Sequence, residues 1–157
     1  MQINAVTPRA TSTVAATTAA AGLRVGQFNV ENLFDTVDDP RRNDTVLTAA
    51  AYDLKLQKLA IAIRDNLGAP DVLALEEVEG LNVLQDLVAR PELKGLGYQA
   101  VLMSGNDARG INVGMIYRSG TIEVTKTTQV LNNDLLKAGR SWFMNDRRYT
   151  FVLRASF

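Results

Sequence analysis

The 157-residue chain contains no cysteine and no histidine. Without cysteine it has no disulfide, no thiol nucleophile and no cysteine metal site, a composition compatible with either a reducing or an oxidising compartment. Without histidine it lacks the commonest general base, the commonest zinc ligand and any Ser-His-Asp triad. It also lacks an excess of charge: 17 basic residues balance 17 acidic ones. No whole-protein field recruits a polyanion, so nucleic acid would have to be met by a local basic patch. No stretch is long and apolar enough to span a bilayer. Val14–Ala21 is too short, and too interrupted by Thr17 and Thr18, to be a secretory signal core.

The length and the ordinary apolar fraction (46%) suit one domain with a real core. Met1–Gly22 is rich in Thr, Ala and Ser, with Arg9 its only charged residue, and reads as a flexible leader or interdomain linker. Leu23, Val25 and Phe28 mark a first strand. A long polar segment follows from Asn29 to about Thr48, read either as a solvated connection or as a cleft rim that brings Arg41 and Arg42 near a phosphate. Tyr52, Leu56, Leu59, Ile63 and Leu67 recur at helical spacing, capped by Thr48 and closed by Gly68 and Pro70. Val72–Leu75 has no face that wants water, so it reads as a strand covered on both sides. Leu81, Leu84, Leu87 and Val88 mark a second helix ending before Pro91. Gly95 and Gly97 then turn the chain into a strand over Tyr98–Met103.

Strand, helix, strand, helix, strand is the order of α/β layering. Strands then follow strands. Ile111 to Arg118 alternates, and a turn at Ser119–Gly120 into Thr121–Thr125 predicts a hairpin. Leu131–Met144 is ambiguous, a loop with a helical turn around Asp134–Lys137. Tyr149–Phe157 alternates as a last strand with one apolar face.

Two apolar runs end abruptly in polar groups able to hold a hard cation: LRVGQFNVENLF over Leu23–Phe34 and DVLALEEVE over Asp71–Glu79. Strand ends are where open α/β sheets bind ligands, and magnesium takes oxygen ligands while keeping several waters. Asn29 is either a metal-orienting amide or a turn asparagine satisfying local backbone. Glu77 follows a buried strand and must reach solvent or a cation. Glu76, Glu77 and Glu79 crowd together, a repulsion that a cation or the dipole of a helix starting near Gly80 would relieve. Arg109 is suited to a phosphate oxygen, or is a turn arginine paired to Asp107.

These motifs resemble the endonuclease/exonuclease/phosphatase superfamily, with the deoxyribonuclease I-like fold. FNVENLFD at Phe28–Asp35 is similar to its first strand end, DVLALEEVE to its second, and DARGINVGMIYR at Asp107–Arg118 to a later strand near its active site. The likeness spans Leu23 to about Arg118 and is greatest to bacterial nuclease-type members. Where the second motif usually reads Gln-Glu, this chain has Glu76-Glu77, so the metal role carries over to Glu77 and Glu76 is a departure.

The resemblance implies an α/β fold, part of a four-layered α/β sandwich of two packed mixed sheets flanked by helices, with residues 23–157 forming its N-terminal portion. It implies a phosphoesterase using magnesium or manganese, held by Asn29 and Glu77 with Glu31 as a weaker third ligand, and hydrolysing phosphodiester bonds in nucleic acid. Arg109 and Asn112 would line the phosphate side. The superfamily's second half supplies the histidines and aspartates that activate water, and none of those motifs is present. The expectation is therefore a truncated domain, inactive alone, that requires a C-terminal half or associates with itself through its final strand. The alternative is a noncatalytic assembly module using that exposed sheet edge. A secreted or periplasmic setting stays open if the chain is part of a longer protein.

Overall fold

The structure, a computed structural model, describes residues 22–131 and 147–155. The expectations for residues 1–21, for residues 132–146 and for Phe157 lie outside the described residues.

Among the described residues six strands, two α-helices and two short helical turns follow one another. They are β1 (Val25–Leu33), α1 (Ala49–Ile61) running into a π-helical turn (Ala62–Asn66), β2 (Val72–Val78), α2 (Leu81–Val88) and a 3-10 turn (Pro91–Leu93). The remaining strands are β3 (Tyr98–Met103), β4 (Asn112–Arg118), β5 (Ile122–Leu131) and β6 (Arg147–Ala155). A mixed sheet has the order β1-β2-β4-β3, with β1 parallel to β2 and the other pairs antiparallel. Strands β5 and β6 form a second, antiparallel pair.

The unbroken apolar character of Val72–Leu75 has the cause expected of it. Leu73 and Leu75 face the helices and join Leu56, Leu59, Ile63, Val83, Leu84 and Leu87 in the main core. On the opposite face Val72 and Met115 pack with Ile122, and Val124, Leu153 and Ala155 of the second sheet lie against them. The described residues thus form three layers: helices, mixed sheet and second sheet. Burying each large aliphatic side chain contributes about 1.5–3 kcal/mol.

Helix α1 begins where Thr48 was expected to cap it, its side chain accepting the Ala51 N–H at 3.2 Å. Gly68 closes it at a φ of +68°, a value glycine adopts without strain. In α2 the core position falls to Val83, while Leu81 stays exposed.

Two expectations change. The turn at Ser119–Gly120 does not make a hairpin, because β4 already has β2 on one edge and β3 on the other. With no free edge to pair, β5 crosses to the second sheet. The first strand also runs past Asn29 to Leu33, since Val30, Leu33 and Phe34 are all buried. An irregularity between Asn29 and Leu33 lets it do so.

No helix among the described residues is long and apolar enough to cross a membrane.

Candidate functional site

Strands β1 and β2 run in register from Val25 beside Val72 to Asn29 beside Glu76, and both then break at the same level. Beyond the break Glu31, Asn32 and Glu77 have φ of 54°, 55° and 63°. Left-handed backbone costs about 1–2 kcal/mol for a residue with a Cβ, and such residues persist only where their surroundings impose them. Here the imposition is visible. The Asn32 N–H donates to the Glu77 carboxylate at 3.0 Å, and the Glu31 N–H donates to Asn29 Oδ1 at 2.8 Å. From α1, Lys55 Nζ donates to the carbonyls of Glu31 and Asn32 at 2.7 and 2.9 Å.

The fold brings Asn29, Glu31 and Glu77 to one rim of the mixed sheet, on the ends of adjacent strands. Asn29 sits level with Glu76, the residue before Glu77, and neighbouring strands lie about 4.8 Å apart. Asn29 and Glu31 are exposed and Glu77 is half-buried. Arg109 reaches the same rim from the β3–β4 loop, where its Nη1 donates to Asn32 Oδ1 at 3.1 Å. Its Nε and Nη2 donate to the two oxygens of Asp107 at 3.1 and 3.2 Å. This pairing holds the Asp107 carboxyl below its ordinary pKa and raises the Arg109 guanidinium above its own. The turn pairing and the place beside the rim therefore coexist.

Asn112 has a different job. Its side-chain oxygen accepts the Gly105 N–H at 2.5 Å, and its amide donates to the carbonyls of Glu79 and Gly110 at 2.6 and 2.8 Å. It fastens the β3–β4 loop to the end of β2. Of the rim arginines, Arg41 turns back onto Asp39, whereas Arg42 Nη1 donates to the Asp107 carbonyl at 3.0 Å. With the Asn43 N–H donating to the Ala108 carbonyl at 2.8 Å, the β1–α1 loop is docked on the β3–β4 loop.

The three glutamates are separated rather than massed. Gln27 donates to Glu76, Asn32 to Glu77, and the Asp35 N–H to Glu79 at 2.5 Å. Glu79 faces Asp35 and Asp44 instead, and burial, reinforced by those two carboxylates, pushes its pKa up to about 7. Asn82 in α2 donates to Asp35 at 2.9 Å.

Sequence reasoning missed two residues. Lys55 has the signature of a solvated helix face, yet burial pulls its ammonium below the ordinary lysine value while Glu31 and Glu77 pull it back up. Asn32, the junction between Glu77 and Arg109, carries no signal at all, because only the bulge gives it that place.

Among the described residues no group of three or more Asp or Glu side chains converges as a metal cage. Magnesium makes a smaller demand: one or two carboxylates, with water completing its octahedron. Glu77 commits one carboxylate oxygen to Asn32 and has a second, and the oxygens of Asn29 and Glu31 stand at the same strand end. This hard, all-oxygen donor set fits magnesium or manganese.

Comparison with known proteins adds three findings. The profile of the Endonuclease/Exonuclease/phosphatase family matches residues 24–144. No curated protein matches the chain. Solved structures similar to it include an endonuclease/exonuclease/phosphatase from Bacteroides vulgatus (20% identity, TM-score 0.42, covering 68% of this chain and 35% of that one). A mannosyl-6-phosphatase from Bacteroides thetaiotaomicron (17% identity, TM-score 0.44, covering 69% and 36%) and the human Nocturnin catalytic domain (17% identity, TM-score 0.41, covering 69% and 38%) are others. The chain spans 35–38% of the length of these proteins.

Proposed function

The chain belongs to the endonuclease/exonuclease/phosphatase family, and from that premise we propose that it supplies the metal-holding and phosphate-holding part of a phosphoesterase that cleaves phosphodiester bonds in nucleic acid. One observation carries the proposal: the paired left-handed breaks that bring Asn29 and Glu77 to the same end of adjacent parallel strands. Glu77, Asn29 and, more peripherally, Glu31 would hold magnesium or manganese. When bound, the cation polarises a phosphate oxygen and offsets charge on the leaving oxygen.

The protein's own part is orientation. The Asn32 N–H aims the Glu77 carboxylate. Arg109 carries five N–H donors, and its contacts with Asp107 and Asn32 use three of them, so the others can meet a phosphate in the forked geometry that arginine favours. Asn112 holds the loop that carries Arg109. With no histidine in the chain, the group that activates water is supplied by another segment, and this chain alone has little or no turnover.

Thermal unfolding with and without magnesium or manganese tests the reading. A ligand at a hundred times its Kd stabilises the fold by about 2.7 kcal/mol. The expected result is metal-dependent stabilisation that Glu77→Ala abolishes and Glu76→Gln retains, with no cleavage of plasmid DNA or a chromogenic phosphodiester by the pure chain. Absence of stabilisation in the wild type would remove the metal role, and robust turnover would remove the requirement for a second segment.

A further inference from the structure

Two consecutive non-glycine residues in the left-handed region need an external hold, and Glu31 and Asn32 are such a pair. That hold comes from outside the strand. One ammonium, Lys55 Nζ, lies 2.7 Å from the Glu31 carbonyl and 2.9 Å from the Asn32 carbonyl. Because the lysine stands on α1, whose Leu56, Leu59 and Ala60 are buried in the core, the helix acts as a rigid mount. Asn32 in turn is where the rim converges: its N–H donates to Glu77 and its side-chain oxygen accepts from Arg109. Fixing its backbone therefore fixes the orientation of two side chains that Lys55 does not itself carry.

We propose that Lys55 is a positioning residue: by gripping the Glu31 and Asn32 carbonyls it holds the turn that aims the Glu77 carboxylate and seats the Arg109 guanidinium. The proposal deepens the reading of Glu77 as a metal ligand and rests on it. Lys55 contacts neither metal nor phosphate, and what matters is a charged donor at the tip of a long side chain. Methionine has a similar reach without a donor, while arginine keeps both charge and donors. Lys58, an exposed lysine on the same helix, controls for the loss of charge alone.

The test compares the whole chain with Lys55→Met, Lys55→Arg and Lys58→Met by two readouts. Amide hydrogen exchange at Asn32, followed by NMR in metal-free protein, reports the turn itself. Manganese binding, followed by electron paramagnetic resonance, reports its consequence at Glu77. In Lys55→Met, Asn32 exchange accelerates while the Leu75 amide in the core stays protected, and manganese affinity falls about tenfold or more, the range for residues that orient a ligand. Lys55→Arg recovers most of both, and Lys58→Met changes neither. Wild-type exchange at Asn32 in Lys55→Met, an equal loss in Lys58→Met, or no recovery with arginine would each overturn the proposal. If the wild type binds no manganese, it is the metal reading that falls, and Asn32 exchange alone then decides whether Lys55 holds the turn.

Discussion

Glu79→Gln is expected to stabilise the protein at about pH 8 and to change little near pH 4.5. The Glu79 carboxyl is half-buried, accepts the Asp35 N–H, and faces Asp35 and Asp44, so its pKa rises from an ordinary 4.5 to about 7. Between those two values the folded protein keeps a proton that the unfolded chain releases, so stability falls as pH rises across this window. The contribution is fully present below about 4.5 and gone above about 7. At about 1.4 kcal/mol per pH unit of separation the ceiling is about 3 kcal/mol, and solvent screening around a partly exposed carboxyl brings it to about 1 kcal/mol. Glutamine mimics the protonated acid: its oxygen still accepts from Asp35 and its amide can donate toward Asp44. Urea unfolding of wild type and variant, in chelator so that no cation settles on Glu77, isolates the effect as a difference of differences. A gap that is the same at both pH values, or one that favours the wild type more at high pH, would refute the reasoning.

Two further outcomes follow from packing and polar satisfaction. Asn112→Ala removes three hydrogen bonds, two to Gly105 and Gly110 of the β3–β4 loop and one to Glu79 just past β2. Chemical denaturation should show a loss of about 1–3 kcal/mol, and exchange of the Gly105 amide should accelerate. Gly114→Ala places a Cβ 2.5 Å from Leu84 Cδ1 and 3.3 Å from the Val101 carbonyl oxygen. Overpacking of a filled core costs about 1–3 kcal/mol, so the denaturation midpoint should drop while the slope of the transition stays the same.

The sequence showed most of what depends on local pattern. The run Val72–Leu75 reads as a doubly covered strand, and the spacing from Tyr52 to Leu67 reads as an amphipathic helix closed by Gly68 and Pro70. What it hid depends on partners distant in the chain. The alternation at Ile111–Arg118 identifies a strand and says nothing of which edges are taken, so a hairpin with β5 was a natural reading and a mistaken one. At the site, Asn29 and Glu77 stood out because each closes an apolar run. The bulge that carries β1 on to Leu33 did not, since Glu31 and Asn32 adopt left-handed backbone without a glycine to announce it. Lys55 was invisible for a similar reason: on a helical wheel it is one more charged residue, and only the approach of β1 to α1 gives it carbonyls to hold.

The register of the mixed sheet also bears on how the molecule acquires its shape. Val25 pairs with Val72 and Val72 with Tyr117, so the central strand is stitched on both sides to segments more than thirty positions away. Contacts this remote in sequence slow folding, because chain entropy is surrendered before any pairing rewards it. The rim joining Asn29 to Glu77 therefore has no counterpart in a short peptide carrying either motif, and a ribosome must release the chain well beyond Glu77 before β2 can find its second neighbour.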